Sequence, residues 1–86
     1  MEVAVWDTYV KKKNGTVMHF DIIVPKNTYE KIVYGYGCQY LHTKGEDGQQ
    51  ITAEACSFCH IEQAGKEIES SINRMGYFIL EMEGCS

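Results

Sequence analysis

The chain is short of everything that would build a second domain, a nucleic-acid surface or a flexible tail. Eighty-six residues hold one core, and a domain of this size buries only about 60–70% of the surface its unfolded chain exposes. A two-domain enzyme is excluded. Basic residues are scarce, 8 against 12 acidic, for a net charge of −4. Binding to a nucleic-acid backbone runs on Lys and Arg neutralising phosphates, so nucleic acid is not an expected partner. There is one proline, no internal repeat, no linker and no low-complexity tract. The chain starts at Met1-Glu2-Val3-Ala4-Val5-Trp6 without a basic, apolar leader, and nothing in it reads as a membrane helix. The expected location is the cytoplasm, where cysteines stay reduced and serve as metal ligands, redox groups or inert packing residues.

What is present is globular: 44% hydrophobic, 23% charged, and ten aromatics spread along the chain. Val3–Val10 and Thr16–Val24 are rich in β-branched and aromatic residues. Asn14-Gly15 between them supplies the positive φ angles of a tight turn, so this stretch predicts a β-hairpin. Pro25 ends the second strand. Asn27 or Thr28 offers a cap for a helix whose apolar positions, Tyr29, Ile32, Val33, Tyr36 and Tyr40, recur at helical spacing up to Gly45. Gly35 and Gly37 inside it each cost about 1 kcal/mol relative to alanine, which points to close approach to a sheet. Ile51–Phe58 predicts a third strand. A second helix follows with Ala64, Ile68, Ile72 and Met75 on one face and Gly76 as its stop. Tyr77–Met82 predicts the last strand.

This order, ββαβαβ, predicts one α+β domain over residues 1–86: two layers, with a four-stranded mixed sheet and both helices on one face. The strands are nevertheless apolar on both sides. Val3, Val5 and Tyr9 alternate with Ala4, Trp6 and Val10, and Phe78, Leu80 and Met82 alternate with Tyr77 and Ile79. Two short helices on one face leave the other bare, so a homodimer through the second face is the expected partner arrangement.

The densest set of soft ligands is Cys56-Ser57-Phe58-Cys59-His60, with Cys85 near the C-terminus. Three thiols and an imidazole match the donor set of a structural zinc site, and the two-residue spacing of Cys56 and Cys59 suits a turn that presents both to one ion. An extended backbone would instead turn Cys59 away from Cys56 and His60. The same string matches the c-type haem attachment pattern, but the absence of an export signal and the sheet-rich order argue against haem. The alternative use of Cys56-x-x-Cys59 is thiol redox chemistry, which needs a nearby helix N-terminus or cation to lower a thiol pKa. The second helix begins too late for its dipole, confined to about the first turn, to do this.

A second cluster arises on the hairpin. With Asn14-Gly15 as a two-residue turn, Thr8 faces Asp21 and Val10 faces His19, so Trp6, Thr8, His19 and Asp21 share a face. A histidine and a carboxylate two residues apart suit general base catalysis or a ligand pocket. A shift of one residue would break the group up. Lys11-Lys12-Lys13 is a solvated hairpin tip, and no paired nucleophile points to catalysis.

Taken together, Trp6-Asp7-Thr8-Tyr9-Val10, Met18-His19-Phe20-Asp21, Cys56-Ser57-Phe58-Cys59-His60 and Gly76-Tyr77-Phe78-Ile79 with Glu81-Met82-Glu83-Gly84-Cys85 resemble a bacterial family known as domain of unknown function two thousand and twenty-four. The resemblance runs from the first strand to the last residue. It implies the ββαβαβ order and carries no activity, cofactor or catalytic residues. The composite expectation is a small non-catalytic binding or interaction module, with zinc as its candidate cofactor at Cys56, Cys59, His60 and Cys85.

Overall fold

A computed structural model describes residues 1–86. The elements are β1 (Glu2–Lys11), β2 (Val17–Pro25), α1 (Glu30–Thr43), β3 (Cys56–Gln63), α2 (Lys66–Met75) and β4 (Phe78–Glu83). The predicted order ββαβαβ holds. The third strand starts later than its apolar run suggests, because Thr52 closes a turn by accepting at its carbonyl from the N–H groups of Ala55 and Cys56. Ile51 is thereby freed from the sheet to pack against α1.

The sheet order is β3-β1-β2-β4, and every neighbouring pair is antiparallel. The expected mixed sheet is therefore corrected. In this order β2 and β3 run in the same direction, as do β1 and β4, but neither pair is adjacent. Parallel directions exist without parallel ladders.

The two helices lie on opposite faces, not on one. Side chains alternate across a strand, and the core divides along that alternation. Ala4, Val10, Met18, Phe20, Ile22 and Val24 pack with Val33, Tyr40 and Leu41 of α1. Val3, Val5, Ile23 and Phe78 pack with Ile68 and Ile72 of α2. The two-sided apolar strands thus have an intramolecular cause: each face carries its own helix, in three layers. Burying a Val, Ile or Phe side chain is worth about 1.5–3 kcal/mol, so even the smaller α2 cluster adds substantially to a domain of this size.

Gly37 accounts for one of the mid-helix glycines. A Cβ there would lie 2.3 Å from Ile51 Cδ1 and 3.0 Å from Ile22 Cδ1, whereas Gly35 faces open space. The buried stripe of α1 is Val33, Gly37, Tyr40 and Leu41; Tyr29 and Ile32 are exposed. Gly76 ends α2 in the left-handed conformation, φ 93°, as its position predicts.

The hairpin loop decides what faces what. Lys12 N–H donates to Thr16 O and Gly15 N–H to Lys12 O. Gly15 alone in the loop has positive φ, 92°, and Asn14 does not. This is a three-residue loop, a β-turn followed by a left-handed glycine, rather than a two-residue Asn-Gly turn, which would require both residues at positive φ. The register follows: Asp7 pairs with Asp21, Thr8 with Phe20 and Tyr9 with His19. It lies one residue from the predicted pairing.

Candidate functional site

A one-residue change in register sends a strand's side chains to the other face, and it reorganises the hairpin cluster. Trp6 and Thr8 lie under α1. Thr8 is fully buried and its Oγ1 stands 3.2 Å from Trp6 O and 3.3 Å from Cys56 Sγ. His19 and Asp21 lie on the α2 face. The predicted group of Trp6, Thr8, His19 and Asp21 is therefore split two and two by the sheet.

Asp7 takes the place of the lost pair. It is the cross-strand partner of Asp21, and His19 Nε2 lies 2.6 Å from its Oδ1. One ligand atom each from Asp7, His19 and Asp21 falls within 4.8 Å of the others, and all three residues are partly buried. The Tyr9 ring stacks on the His19 imidazole at 4.2 Å between centroids and 10° between planes, which fixes the imidazole plane. The α2 helix covers the Val3, Val5 and Ile23 end of this face and leaves the Asp7, His19 and Asp21 end open. The helix ends at Met75, and the face beyond it is bounded by Tyr9, Val17 and Leu80, all exposed.

The electrostatics of this cluster set two carboxylates against each other with one imidazole between them. Two carboxylates directly opposite on antiparallel strands repel. Partial burial first, and then the charge of Asp7, push the Asp21 carboxyl above its usual range; the His19 and His60 imidazoles pull the other way. Asp is depleted within strands, and here two stand at the centre of the central pair. That placement was the sequence signal for Asp7, hidden by the assumed turn length.

The cysteine cluster does not assemble. Cys56 is buried under α1, and burial pushes its thiol pKa up despite the opposing Thr8 hydroxyl. Cys59 is exposed and is the extra residue of a bulge, since Val5 pairs with His60 while Trp6 pairs with Phe58. His60 lies on the α2 face with Nε2 2.5 Å from Glu62 Oε1. Cys85 is buried beyond β4, where its Sγ approaches the carbonyls of Glu83 and His19. Cys56, Cys59, His60 and Cys85 thus point to different surroundings, because the segment is a strand rather than the ligand-presenting turn that a zinc site takes. The same geometry deprives Cys56-x-x-Cys59 of the helix N-terminus that thiol redox chemistry uses.

Other concavities lie apart from these residues. A groove of about 430 Å³ follows the outer edge of β4 between Thr43 of α1 and Ser70, Arg74 and Met75 of α2, and none of the predicted site residues lines it. No helix is long and apolar enough to cross a membrane.

The chain matches the family described as domain of unknown function DUF2024 over residues 1–82. Among solved structures it is similar to protein NE1680 from Nitrosomonas europaea, determined by NMR as a Northeast Structural Genomics Consortium target, with 44% identity over 100% of both chains and a TM-score of 0.85. No curated protein matches it. By sequence over almost its whole length, the chain belongs to the DUF2024 family.

Proposed function

We propose that the chain is a small binding module whose ligand is a divalent transition-metal cation, zinc foremost, held by Asp7, His19 and Asp21 on the open half of the α2 face. The observation that carries this reading is the convergence of two carboxylates and one imidazole within 4.8 Å. Carboxylate oxygens alone suit magnesium or calcium, while an imidazole shifts preference toward zinc, copper, nickel and iron. A dication also relieves the repulsion between Asp7 and Asp21. The thiols take no part in this site, so the donor set is oxygen and nitrogen. The test is calorimetric titration of chelator-stripped protein with zinc, alongside His19→Gln. Binding at one ion per chain that is lost in the variant supports the reading; stripped wild type that takes up no zinc overturns it.

The same open half offers a surface for a second copy of the chain. Tyr9 is 48% exposed and Leu80 43% exposed beside the cluster, and exposed aromatic and aliphatic side chains are what the core of an interface buries. The proposed homodimer is checked by sedimentation at tens of micromolar, with and without zinc; a monomer in both removes it.

A further inference from the structure

We propose that the second copy of the chain closes along the edge strand β4, with Glu67 of each protomer meeting Arg74 of its partner across a two-fold axis. This inference rests on the homodimer proposed above, whose surface reaches β4 at Leu80, and names the strand and the charge pair through which the two copies join.

The two sheet edges differ. An edge strand presents a row of unpaired N–H and C=O groups, and bulges and charged side chains are what keep such a row from pairing. On β3 the bulge at Cys59 interrupts the ladder, and His60 and Glu62 follow it. On β4 the ladder with β2 is unbroken from Phe78 to Glu81, and Phe78, Ile79 and Leu80 carry no charge. Strand β4 is therefore the edge left free to take another strand. Beside it runs the groove lined by Thr43, Glu67, Arg74, Met75 and Ile79, with the Met75 side chain exposed.

The charges along that groove fit a second copy. Glu67, Ser70, Ser71 and Arg74 lie three and four residues apart, so they share one flank of α2, and all four line the groove. Neither Glu67 nor Arg74 makes an ion pair within the chain. The two are equally distant from the midpoint between Ser70 and Ser71. Antiparallel copies of α2 related by an axis through that midpoint therefore set each Glu67 opposite the partner's Arg74, and because a two-fold interface is isologous the pair occurs twice. The helix dipole also favours an acid in the first turn and a base in the last, but it does not choose a flank; here both charges border the open edge. Ser71 Oγ donates to Tyr77 O, which ties the middle of this flank to the start of β4. The axis thus falls on the uncharged half of β4, beside Phe78 and Ile79, and Glu81 and Glu83 are kept from facing their own copies. Like charges directly opposite would be destabilising.

The experiment is sedimentation of the full chain at tens of micromolar, in zinc and in chelator, for the wild type, Arg74→Glu, Glu67→Arg and an equimolar mixture of the two variants, each checked for folding by its amide spectrum. The wild type is expected to dimerise. Each variant alone should dimerise at least about tenfold more weakly, since it sets like charges opposite each other at both ends of the contact. In the mixture a flank with two acids meets a flank with two bases, and dimers should return; a purely local effect on α2 would not be rescued by mixing. Amide exchange in the wild type is the second reading, and the outward amides of Phe78–Glu81 should exchange more slowly as the dimer fills. Dimerisation that is unchanged in both variants, that mixing does not restore, or that leaves those amides unprotected overturns the contact along β4 and leaves the homodimer on the open half standing. A wild type that stays monomeric in both conditions overturns both.

Discussion

Replacing Asp21 by Asn separates a cation site from a merely tolerated acidic pair, because it moves two quantities in opposite directions. Asp7 and Asp21 are direct cross-strand partners, and like charges so placed cost about 0.2–1 kcal/mol. The folded pKa of Asp21 is raised from its ordinary 3.8 by burial and then by Asp7. A carboxyl shifted in that direction favours the fold below the unfolded value, and the contribution is lost as pH rises through the folded value. At neutral pH the metal-free protein carries the whole cost. Asn has nearly the same shape without the charge, so metal-free Asp21→Asn should be more stable by about 0.5 kcal/mol. For a domain of 60–100 residues, 1 kcal/mol corresponds to about 4–8 °C, so Tm should rise by about 2–4 °C. The gain should vanish in acid, where the wild-type carboxyl is protonated. With zinc the sign reverses. A ligand at a hundredfold excess over its Kd stabilises the wild type by about 2.7 kcal/mol, a Tm increase on the order of 10 °C or more, and the variant keeps little of it. Melting curves in chelator and in zinc, at neutral and acid pH, measure every part. An Asp21→Asn protein that melts lower than wild type in chelator, or that gains as much from zinc, refutes the reasoning.

Three further expectations test other parts of the structure. Gly84 has φ 67° and a Cβ there would lie 2.2 Å from Val17 O, so Gly84→Ala should cost about 1 kcal/mol or more and release the tail: maleimide labelling should be fast at Cys38 and Cys59 and slow at Cys56 and Cys85 in the wild type, with Cys85 joining the fast group in the variant. A fast Cys56 in the folded wild type would contradict its burial. Lys44 first, and then the Tyr40 hydroxyl, hold the Glu81 carboxyl below its ordinary 4.5, so this carboxylate adds stability above 4.5 that is lost as pH falls through the lower folded value; Tyr40→Phe should shrink the acid-side fall in Tm, and parallel curves would show that the hydroxyl contributes nothing. Deleting Lys13 should convert the loop to a two-residue Asn-Gly turn closed by the same Lys12 and Thr16 pair, leaving the fold and the zinc response intact, whereas loss of the zinc response would show that the loop does more than set the register.

The sequence pattern carried the elements well and the faces poorly. Pro25, Gly76 and the helical spacing of Ile68 and Ile72 act locally, through a missing donor, a left-handed cap and a periodic apolar stripe, so the order ββαβαβ was legible. Which face each helix covers is not a local property. The alternation of Val3 and Val5 with Ala4 and Trp6 was read as a bare face awaiting a second chain, yet the same alternation is what a sheet with one helix on each side requires. The pattern specifies that both faces are buried and is silent on what buries them.

Two single-residue irregularities redistribute the candidate residues, and neither has a distinctive composition. Asn14-Gly15 is as good in a three-residue loop, with only Gly15 at positive φ, as in a two-residue turn. Choosing between them moves Asp7 to Asp21's side and removes Thr8. The bulge at Cys59 has the same effect on β3: it leaves Cys56 under α1 while His60 passes to the other face, dissolving the apparent Cys-x-x-Cys-His unit. A motif read along the chain assumes that its residues stay on one surface. In this sheet a turn and a bulge redistribute them. The groups that meet, Asp7, His19 and Asp21, are the two acids that strand propensity disfavours and the imidazole that stacks on Tyr9. A charged residue in the centre of an otherwise apolar strand was the more informative signal, because the sheet can retain it only by giving it a polar partner, open water or an ion.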